Sequence, residues 1–292
     1  MTNMKTITIY ALLLVLTGCS SLSISSKPHP ESHGNTNKYL SCDLSHYQHG
    51  HDNNGPAYGP LYTKIAKESW PYALMSSNAY EDSPLFYIND WYLKERYESG
   101  KGLSADIYER RDGNKNVTKI AIAFRGTEFF SITDWLFGNF NIFWEGQYAE
   151  ARKLVDTLRN NKKYKNLPIV ATGHSLGGGL ALHISLYYSN IDAFVFNTSP
   201  RVFAPISRSK IPNNRRVIIS EDKEVLSTII SDYPSLNRTD IDANYNEFDF
   251  LNDNFIAEHG MYYLARGLLV VAASSGDLNA TRALENNIGC TL

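Results

Sequence analysis

The sequence predicts an α/β fold in which a mostly parallel central sheet is flanked by helices. From about residue 60 onward, short apolar runs of strand length alternate with segments whose apolar residues recur at helical spacing. Strands that are buried on both faces read as continuous apolar runs, and three segments have this character: 118–124, 167–172 and 192–197. A glycine-rich turn follows the second run and opens a helix, so the pattern also contains a strand–turn–helix unit.

The other elements follow from local patterns along the chain. Residues 61–80 show helical spacing, and Pro71 is expected to kink or interrupt that segment. A strand at 104–111 is joined to the strand at 118–124 by the turn residues 112–114 (DGN). The remaining predicted elements are helices at 145–163, 176–189 and 259–274 and a further strand at 216–220.

Composition and charge exclude several classes of protein. With 292 residues, of which 43% are hydrophobic and 20% charged, the chain can bury a substantial core. The formal net charge is −2 and no basic block or stripe stands out, so we expect no nucleic-acid partner. Only the first twenty residues hold a long apolar run, which excludes a multi-span membrane protein.

Residues 1–18 have the pattern of a secretory signal peptide. A positive start at Lys5 precedes the apolar run 7–16 (ITIYALLLVL), which is too short to span a bilayer comfortably. The sequence Leu-Thr-Gly-Cys that ends at Cys19 resembles the lipobox of bacterial lipoproteins. That resemblance implies a lipidated Cys19, a membrane surface as partner and a location outside the cytoplasm, and Ser20 in place of an aspartate favours the outer membrane. An ordinary signal peptide with an incidental cysteine is the alternative.

Residues 19–60 are predicted to be a polar tether, and residues 61–292 to be the folded domain. Ser, Pro, Asn, Gly and His dominate the tether, and neither strand nor helix periodicity is present there. Three of its histidines read either as a metal-binding tract or as part of a solvated linker: His46, His49 and His51. Cys42 and Cys290 either pair in an oxidising compartment or remain two thiols.

The chemistry of the chain concentrates at the sequence Gly-His-Ser-Leu-Gly, residues 173–177. A serine on a sharp strand-to-helix turn needs small flanking residues because the chain bends so tightly, and Gly173, Gly177 and Gly178 supply them. The N–H groups at the start of the following helix then lie beside the hydroxyl, where negative charge develops in acyl transfer. No Lys-Ser/Thr pair follows in the sequence to hold a nucleotide, which disfavours a phosphate-binding loop. Ser175 is therefore the predicted nucleophile.

A serine hydroxyl needs a base, and histidine is the usual one. His183 lies eight residues along the same predicted helix, roughly 12 Å up its axis, and cannot reach the hydroxyl. His174 adjoins Ser175, but its side chain leaves the turn in another direction. His259 therefore remains as the predicted base by elimination.

The third member of the site is a carboxylate that fixes the tautomer of the base. In α/β folds that carry such a serine turn, the chain order is serine, acid, histidine. The strand at 216–220 delivers Glu221 and Asp222 to the edge of the sheet where the serine lies. Asp222 is the predicted acid and Glu221 the reserve, with Asp232 and Asp240 as weaker alternatives.

Three separated segments form a pattern that extends beyond the serine turn. They are Phe-Arg-Gly-Thr at 124–127 with Asp-Trp at 134–135 soon after, Gly-His-Ser-Leu-Gly-Gly at 173–178, and the late Asp222 and His259. In this order the segments resemble the class 3 lipases, the fungal triacylglycerol lipase group. The resemblance covers roughly residues 60–275 and implies an α/β-hydrolase fold with a catalytic triad.

The resemblance also implies an oxyanion hole. In that family the threonine of the Phe-Arg-Gly-Thr segment contributes to it, and this position is Thr127 here. The second donor is then the backbone N–H of Leu176, the residue after the nucleophile. The chain departs from the family at 197–203 (NTSPRVF), which keeps Pro-Arg-Val without the two glycines, and after Asp222, where 224–226 (EVL) replaces the usual prolines.

The resemblance implies a serine ester hydrolase that acts on lipid esters, as a lipase or a phospholipase A, and the N-terminal pattern places it outside the cytoplasm. The aromatic-rich segment 128–144 reads either as a hydrophobic lid over an acyl pocket or as a buried helix. We expect no metal and no organic cofactor. Two other functions stay open: a catalytically silent hydrolase-like binding module, and a serine thioesterase or peptidase on the same fold.

Overall fold

Seven strands of the computed structural model form one mixed sheet, in which each strand pairs with the next one along the chain. The structure describes residues 58–82, 84–126, 141–199, 202, 211–222, 243–250 and 259–288, apart from the side chains at 141–145 and 288. The strands are β1 (Trp91–Glu98), β2 (Ser104–Arg111), β3 (Val117–Phe124), β4 (Ile169–His174), β5 (Ile191–Phe196), β6 (Arg216–Glu221) and β7 (Asn244–Phe248). The helices are α1 (Pro60–Asn78), α2 (Asn141–Asn160), α3 (Leu176–Tyr187), α4 (Met261–Ser274) and α5 (Leu278–Ile288).

The sheet is antiparallel at one edge and parallel elsewhere. β1 pairs antiparallel with β2, and β2 with β3, whereas all the pairings from β3 to β7 are parallel. The prediction of a mostly parallel sheet is therefore confirmed. Because β3 to β7 run in the same direction, their carboxyl ends lie at one edge of the sheet, which is where α/β folds place their sites.

Helices cover both faces of the sheet, as the continuous apolar strands require. α2 and α3 pack on one face, over a core that includes Leu154 and Leu180. α1, α4 and α5 cover the other face, with Leu74, Phe196 and Leu268 in its core. The α/β prediction is confirmed.

The sequence locates the central strands and the turn between β2 and β3 well. In that turn the N–H of Lys115 donates to the carbonyl of Asp112 at 2.8 Å. β4 begins at Ile169 rather than at residue 167. The reason is that Leu167 belongs to the preceding turn, where its N–H donates to the carbonyl of Tyr164 at 2.9 Å.

The sequence patterns do not predict β1, β7 or α5. β1 (WYLKERYE) is an edge strand whose single buried residue is Trp91, and β7 (NYNEF) is mostly polar, so neither presents an apolar run. α5 begins after Asp277, whose Oδ1 accepts from the N–H groups of Asn279 and Ala280 at 2.9 and 3.0 Å. That contact is an ordinary helix N-cap.

α1 runs without a break through Pro71, so the predicted interruption does not occur. A proline in a helix interior lacks a donor N–H and costs about 3 kcal/mol or more. Its neighbours Trp70, Tyr72 and Ala73 are buried in the core under α4 and the sheet. Burial of this face outweighs the local cost.

Several sequence predictions concern residues outside the described ranges. They are the signal peptide 1–18, the lipidated Cys19, the tether up to residue 57 with its histidines, Cys42 and Cys290, Thr127, segment 128–140 and the alternative acids Asp232 and Asp240. Residues 141–144, at the end of the aromatic-rich segment, form the start of α2. Within the described ranges no helix is both long enough and apolar enough to cross a membrane.

Candidate active site

Ser175 lies on the sharp turn between β4 and α3. Its backbone angles are φ 56° and ψ −122°, a region in which a residue with a side chain is strained. Three contacts hold the turn: its N–H donates to the carbonyl of Phe196 at 3.0 Å, and its carbonyl accepts from Ser199 at 3.0 Å and Gly179 at 3.3 Å. The end of β5 and the residues after it therefore hold Ser175, at the N-cap of α3, in the strained conformation of a nucleophile elbow.

The flanking glycines leave no room for side chains, as the sequence predicts. A Cβ atom on Gly173 would lie 2.4 Å from the carbonyl of Gly177, and one on Gly177 would lie 2.1 Å from the carbonyl oxygen of Phe124. A Cβ on Gly178 would lie 2.5 Å from Oγ1 of Thr198. The turn, the end of β3 and the end of β5 can thus pack together only because these positions are glycine.

The chain that leaves β3 passes directly beside the serine turn. A Cβ on Gly126 would lie 2.5 Å from the carbonyl oxygen of His174 and 3.4 Å from Cβ of Ser175. The same Cβ would lie 2.2 Å from the hydroxyl of Tyr80, which follows the end of α1. The backbone at Gly126 therefore borders the reacting group.

Of the two predicted oxyanion donors, Leu176 lies within the described residues and Thr127 does not. Leu176 is buried and is the first residue of α3, and the first N–H groups of a helix have no acceptor within it. Its N–H thus suits the predicted role. Thr127 lies outside the described residues, but it follows Gly126, whose backbone borders Ser175.

His259 lies just before α4, at the same edge of the sheet. Its side chain is 3% exposed, and its ring centroid is 4.7 Å from that of His174, the residue before Ser175. Its carbonyl accepts from Nε2 of His174 at 2.7 Å and from Nδ2 of Asn197 at 3.2 Å. The structure therefore brings the predicted base to the serine turn.

His174 is neutral, and its hydrogen-bond partners define its tautomer. Burial lowers the pKa of His174 well below its ordinary value, and the neighbouring His259 lowers it further. Because a carbonyl oxygen can only accept, Nε2 of His174 carries the hydrogen in its contact with His259. Nδ1 is then an acceptor, and the hydroxyl of Tyr80 donates to it at 2.9 Å. With both ring nitrogens engaged, His174 does not serve as the base, in agreement with the sequence argument.

The structure separates the two candidate acids at the end of β6. Glu221 is buried, its Oε1 accepts from the N–H of Phe250, and its N–H donates to Oδ1 of Asn197 at 2.8 Å. Asp222 is half-buried at the carboxyl edge of the sheet, and its N–H donates to the carbonyl of Phe248 at 2.7 Å. The Glu221 carboxylate holds the chain after β7, which favours Asp222 as the acid.

Asn197 joins two sides of the site, and its residue type alone does not reveal this. It follows β5 with φ 40°, and its N–H donates to the carbonyl of Ile219 at 2.9 Å. Its side chain accepts from the N–H of Glu221 and donates to the carbonyl of His259. These partners lie 24 and 62 residues away in sequence, so no local pattern could identify Asn197.

His183, which lies on α3, has a structural role. His183 is fully buried on α3, where Arg152 donates to its Nε2 at 2.8 Å and the rings of Tyr148 and Tyr187 pack on it. His183 is therefore a packed residue of α3. Among the residues that the structure describes, no group of three or more His, Cys, Asp or Glu side chains could hold a metal ion.

A model of one protein family matches the chain over residues 72–233, which is more than half of its length. The family is described as the Tle-like phospholipase domain, within a phospholipase-like group. The matched range contains Ser175 and Asp222 and ends before His259. No curated protein matches the chain in sequence.

Solved structures of fungal lipases are similar to part of the chain. Lipase II from Rhizopus niveus is 21% identical with a TM-score of 0.43, and the match covers 60% of this chain and 77% of that one. A triacylglycerol lipase from Penicillium expansum is 18% identical with a TM-score of 0.44, over 63% of this chain and 79% of that one. Likenesses this remote carry no argument about function.

Proposed function

Because this chain belongs to the Tle-like phospholipase domain family, we propose that it cleaves carboxylic esters of phospholipids through an acyl-enzyme on Ser175. Family membership makes the chain a lipid ester hydrolase, as its sequence predicts. One observation carries the rest of the proposal. The strained turn places Ser175 at the N-cap of α3, and the main-chain carbonyl of His259 accepts a hydrogen bond from His174, the residue just before Ser175.

In the first half-reaction, Oγ of Ser175 attacks the ester carbonyl carbon while the imidazole of His259 takes the hydroxyl proton. The former carbonyl oxygen becomes negative, and the N–H groups of Leu176 and Thr127 stabilise it. When the carbon–oxygen bond to the alcohol breaks, His259 returns the proton to that alcohol. The fatty acyl group remains as an ester on Ser175, and a lysophospholipid leaves.

In the second half-reaction, water gives a proton to His259 and attacks the acyl carbon. The acyl–oxygen bond to Ser175 breaks, the serine oxygen regains the proton, and a fatty acid leaves. Asp222 accepts a hydrogen bond from the other ring nitrogen of His259, which fixes the tautomer and stabilises the imidazolium.

The phospholipid substrate is supported by the family and by the N-terminal sequence. A lipid on Cys19 would hold the domain at a membrane surface, where phospholipid is the abundant ester. Ser20, in place of an aspartate, supports the outer membrane as that surface. The aromatic residues of segment 128–144 are apolar enough to accept an acyl chain, whether the segment is a lid or a packed helix.

The test compares the full-length chain with its Ser175→Ala variant on p-nitrophenyl esters from acetyl to palmitoyl and on phosphatidylethanolamine–phosphatidylglycerol vesicles. We expect rates that rise with acyl length, release of fatty acid from the vesicles, and a loss of at least about 10³-fold in the variant. Equal rates in the two proteins would contradict Ser175 as the nucleophile. Vesicle binding without hydrolysis by either protein would identify a binding module, and hydrolysis of thioesters alone would identify a thioesterase.

We propose that the reaction needs no metal, because every charge in these steps is stabilised by protein groups. Activity should be the same in EDTA as in added calcium. A loss of activity in EDTA that calcium restores would contradict this part of the proposal.

A further inference from the structure

We propose that His174 is a positioning residue that sets the place of the catalytic base, by donating a hydrogen bond from its Nε2 atom to the main-chain carbonyl of His259. This inference rests on the proposed function, because that proposal makes His259 the base. His174 itself touches neither substrate nor a reacting atom in the mechanism above.

This hydrogen bond is the second in a chain of two, which runs from Tyr80 through His174 to His259. The Tyr80 hydroxyl donates to Nδ1 of His174 at 2.9 Å, and Nε2–H of His174 donates to the carbonyl of His259 at 2.7 Å. The first bond selects the tautomer that the second bond needs, since a neutral imidazole carries one hydrogen. Tyr80 thus prepares His174 to act as a donor.

The two donors in this chain, Tyr80 and His174, are held by regular structure. His174 is the last residue of β4, and Tyr80 directly follows the end of α1, where its N–H donates to the carbonyl of Ser77 at 3.2 Å. His174 is 6% exposed and its ring meets that of Tyr80 edge-on, with centroids 5.6 Å apart. Because this buried ring has little freedom to move, it can hold the main chain at His259 in a fixed place relative to β4.

The chain at His259 depends on such a contact. The next residue, Gly260, is the N-cap of α4, and no side chain caps the helix there. The carbonyl of His259 instead receives the His174 and Asn197 donors, which fix the main chain where α4 begins. Side chains that hold a reacting group's backbone preserve the alignment on which rate depends.

Because His174 and Ser175 are adjacent in the chain, one dipeptide carries both the nucleophile and the contact that locates its base. The His174 ring then links the main chain at the nucleophile directly to the main chain at the base. If His174 only filled space, its two nitrogens would not need matched partners. A hydrophobic residue of similar size would then serve as well.

The experiment uses the full-length chain and four single variants in the same ester assay: His174→Leu, His174→Gln, Tyr80→Phe and His183→Leu. Leucine removes the donor, whereas the glutamine amide restores an N–H close to the position of Nε2. We expect His174→Leu to lower kcat by about 10- to 100-fold with KM within about threefold, and His174→Gln to recover most of that loss. Tyr80→Phe should give a smaller loss of kcat, because it removes the hydrogen bond that selects the tautomer of His174 but leaves the His174 ring in place.

His183→Leu is the matched control, since it also removes a buried, hydrogen-bonded histidine, in this case one within α3. It should lower thermal stability without lowering kcat at a temperature where the protein is folded. Nitrogen-15 NMR of histidine-labelled protein gives a readout independent of activity. His174 should be the neutral Nε2–H tautomer at pH 7 in the wild type and in Ser175→Ala, and a mixture in Tyr80→Phe.

Each contrary result has a separate meaning. Wild-type kcat in His174→Leu, or equal losses in the leucine and glutamine variants, would overturn the positioning role. A similar loss of kcat in His183→Leu would overturn it too, because general destabilisation would then explain the effect. An Nδ1–H tautomer would overturn the donor assignment. Full activity in Ser175→Ala would instead overturn the proposed function, and the inference with it.

Discussion

Glu221 and Asp222 are adjacent carboxylates whose surroundings differ. Glu221 is buried and accepts from the N–H of Phe250, so it holds the chain that leaves β7. Asp222 is half-buried at the carboxyl edge of β6, the edge at which Ser175 follows β4. The Glu221 carboxylate therefore supports the fold, whereas that of Asp222 lies where the proposed reaction needs an acid.

We expect Asp222→Ala to lower kcat by about 10⁴-fold with little change in stability, because the imidazolium of His259 loses its stabilising charge. Glu221→Ala should lower the free energy of unfolding by about 1–3 kcal/mol, because the buried N–H of Phe250 loses its acceptor. Steady-state kinetics and urea denaturation of both variants check this. Loss of activity at unchanged stability in Glu221→Ala would make Glu221 the acid.

The backbone strain at Ser175 leads to a second prediction about single residues. At φ 56° and ψ −122°, the strain of a residue with a Cβ lowers the free energy of unfolding by about 1–3 kcal/mol relative to glycine. Ser175→Gly should therefore be more stable than Ser175→Ala by about 1–2 kcal/mol, and both should be inactive. Urea denaturation measures the difference. An alanine variant as stable as the glycine variant would show that the turn is relaxed.

At the scale of elements, α3 packs closely against the end of β3 because residue 177 is a glycine. A Cβ there would lie 2.1 Å from the carbonyl oxygen of Phe124, a backbone atom that cannot rotate away. The helix that begins at Leu176, the predicted oxyanion donor, is thus pressed against the end of β3.

Gly177→Ala should push α3 away from β3 and destabilise the protein by about 3 kcal/mol. Gly113→Ala is the control, because a Cβ on Gly113 meets nothing within 4 Å. Thermal unfolding of both variants tests the expectation. A Gly177→Ala protein that unfolds at the wild-type temperature would contradict the packing described here.

The elements that sequence patterns predict are those whose local pattern and tertiary burial agree. β3, β4 and β5 are continuous apolar runs and lie in the middle of the sheet, so their sequences suffice. β7 is polar and gains its place by pairing with β6, which no local window contains. Pro71 misleads for the same reason, since the packing of α1 decides its conformation.

The candidate site divides in the same way. Ser175 is predicted by its glycine-flanked turn, and His259 by elimination among few histidines. Tyr80 and Asn197 could not be predicted, because each acts on a residue far along the chain through a contact that only the folded sheet creates. The roles of Asp222 and Thr127 remain predictions.

At the scale of the whole molecule, a buried charge ties β2 to the chain that leads into β4. The Glu109 carboxylate is fully buried and accepts from Tyr164 at 2.6 Å, from Arg111 and from Lys163. Burial alone would raise its pKa, but these three donors outweigh burial and lower the pKa of Glu109 to about 2. The network is therefore intact at neutral pH.

The sign of the resulting pH dependence follows from that lowered pKa. The contribution of Glu109 to stability is fully present above its unfolded pKa of 4.5 and is lost as pH falls towards about 2. Glu109→Gln should lower the free energy of unfolding by about 1.5–3 kcal/mol at pH 7. This deficit should shrink between pH 4.5 and pH 2. Urea denaturation across that range tests it, with the exposed Glu95→Gln as control, and a deficit that does not change with pH would contradict it.

The burial of the nucleophile predicts a dependence on lipid surfaces. Ser175 is 4% exposed, whereas an ester carbonyl must come within about 3.5 Å of its hydroxyl. We therefore expect part of the surrounding chain to move before substrate reaches it. The rate on a short-chain ester should rise steeply once the ester exceeds its solubility and forms an interface. A rate that follows a simple saturation curve through the solubility limit would show that access needs no interface.

The order of strands in the sheet has a consequence for how the protein is made. Because each strand pairs with the one synthesised just before it, the sheet can grow at one edge while the polypeptide emerges. α1 is made first but packs on α4, which comes near the end, so that face closes late. His259 is also among the last parts to arrive. On the proposed mechanism, a nascent chain therefore holds Ser175 before His259 has been made, and ester hydrolysis begins only with the finished domain.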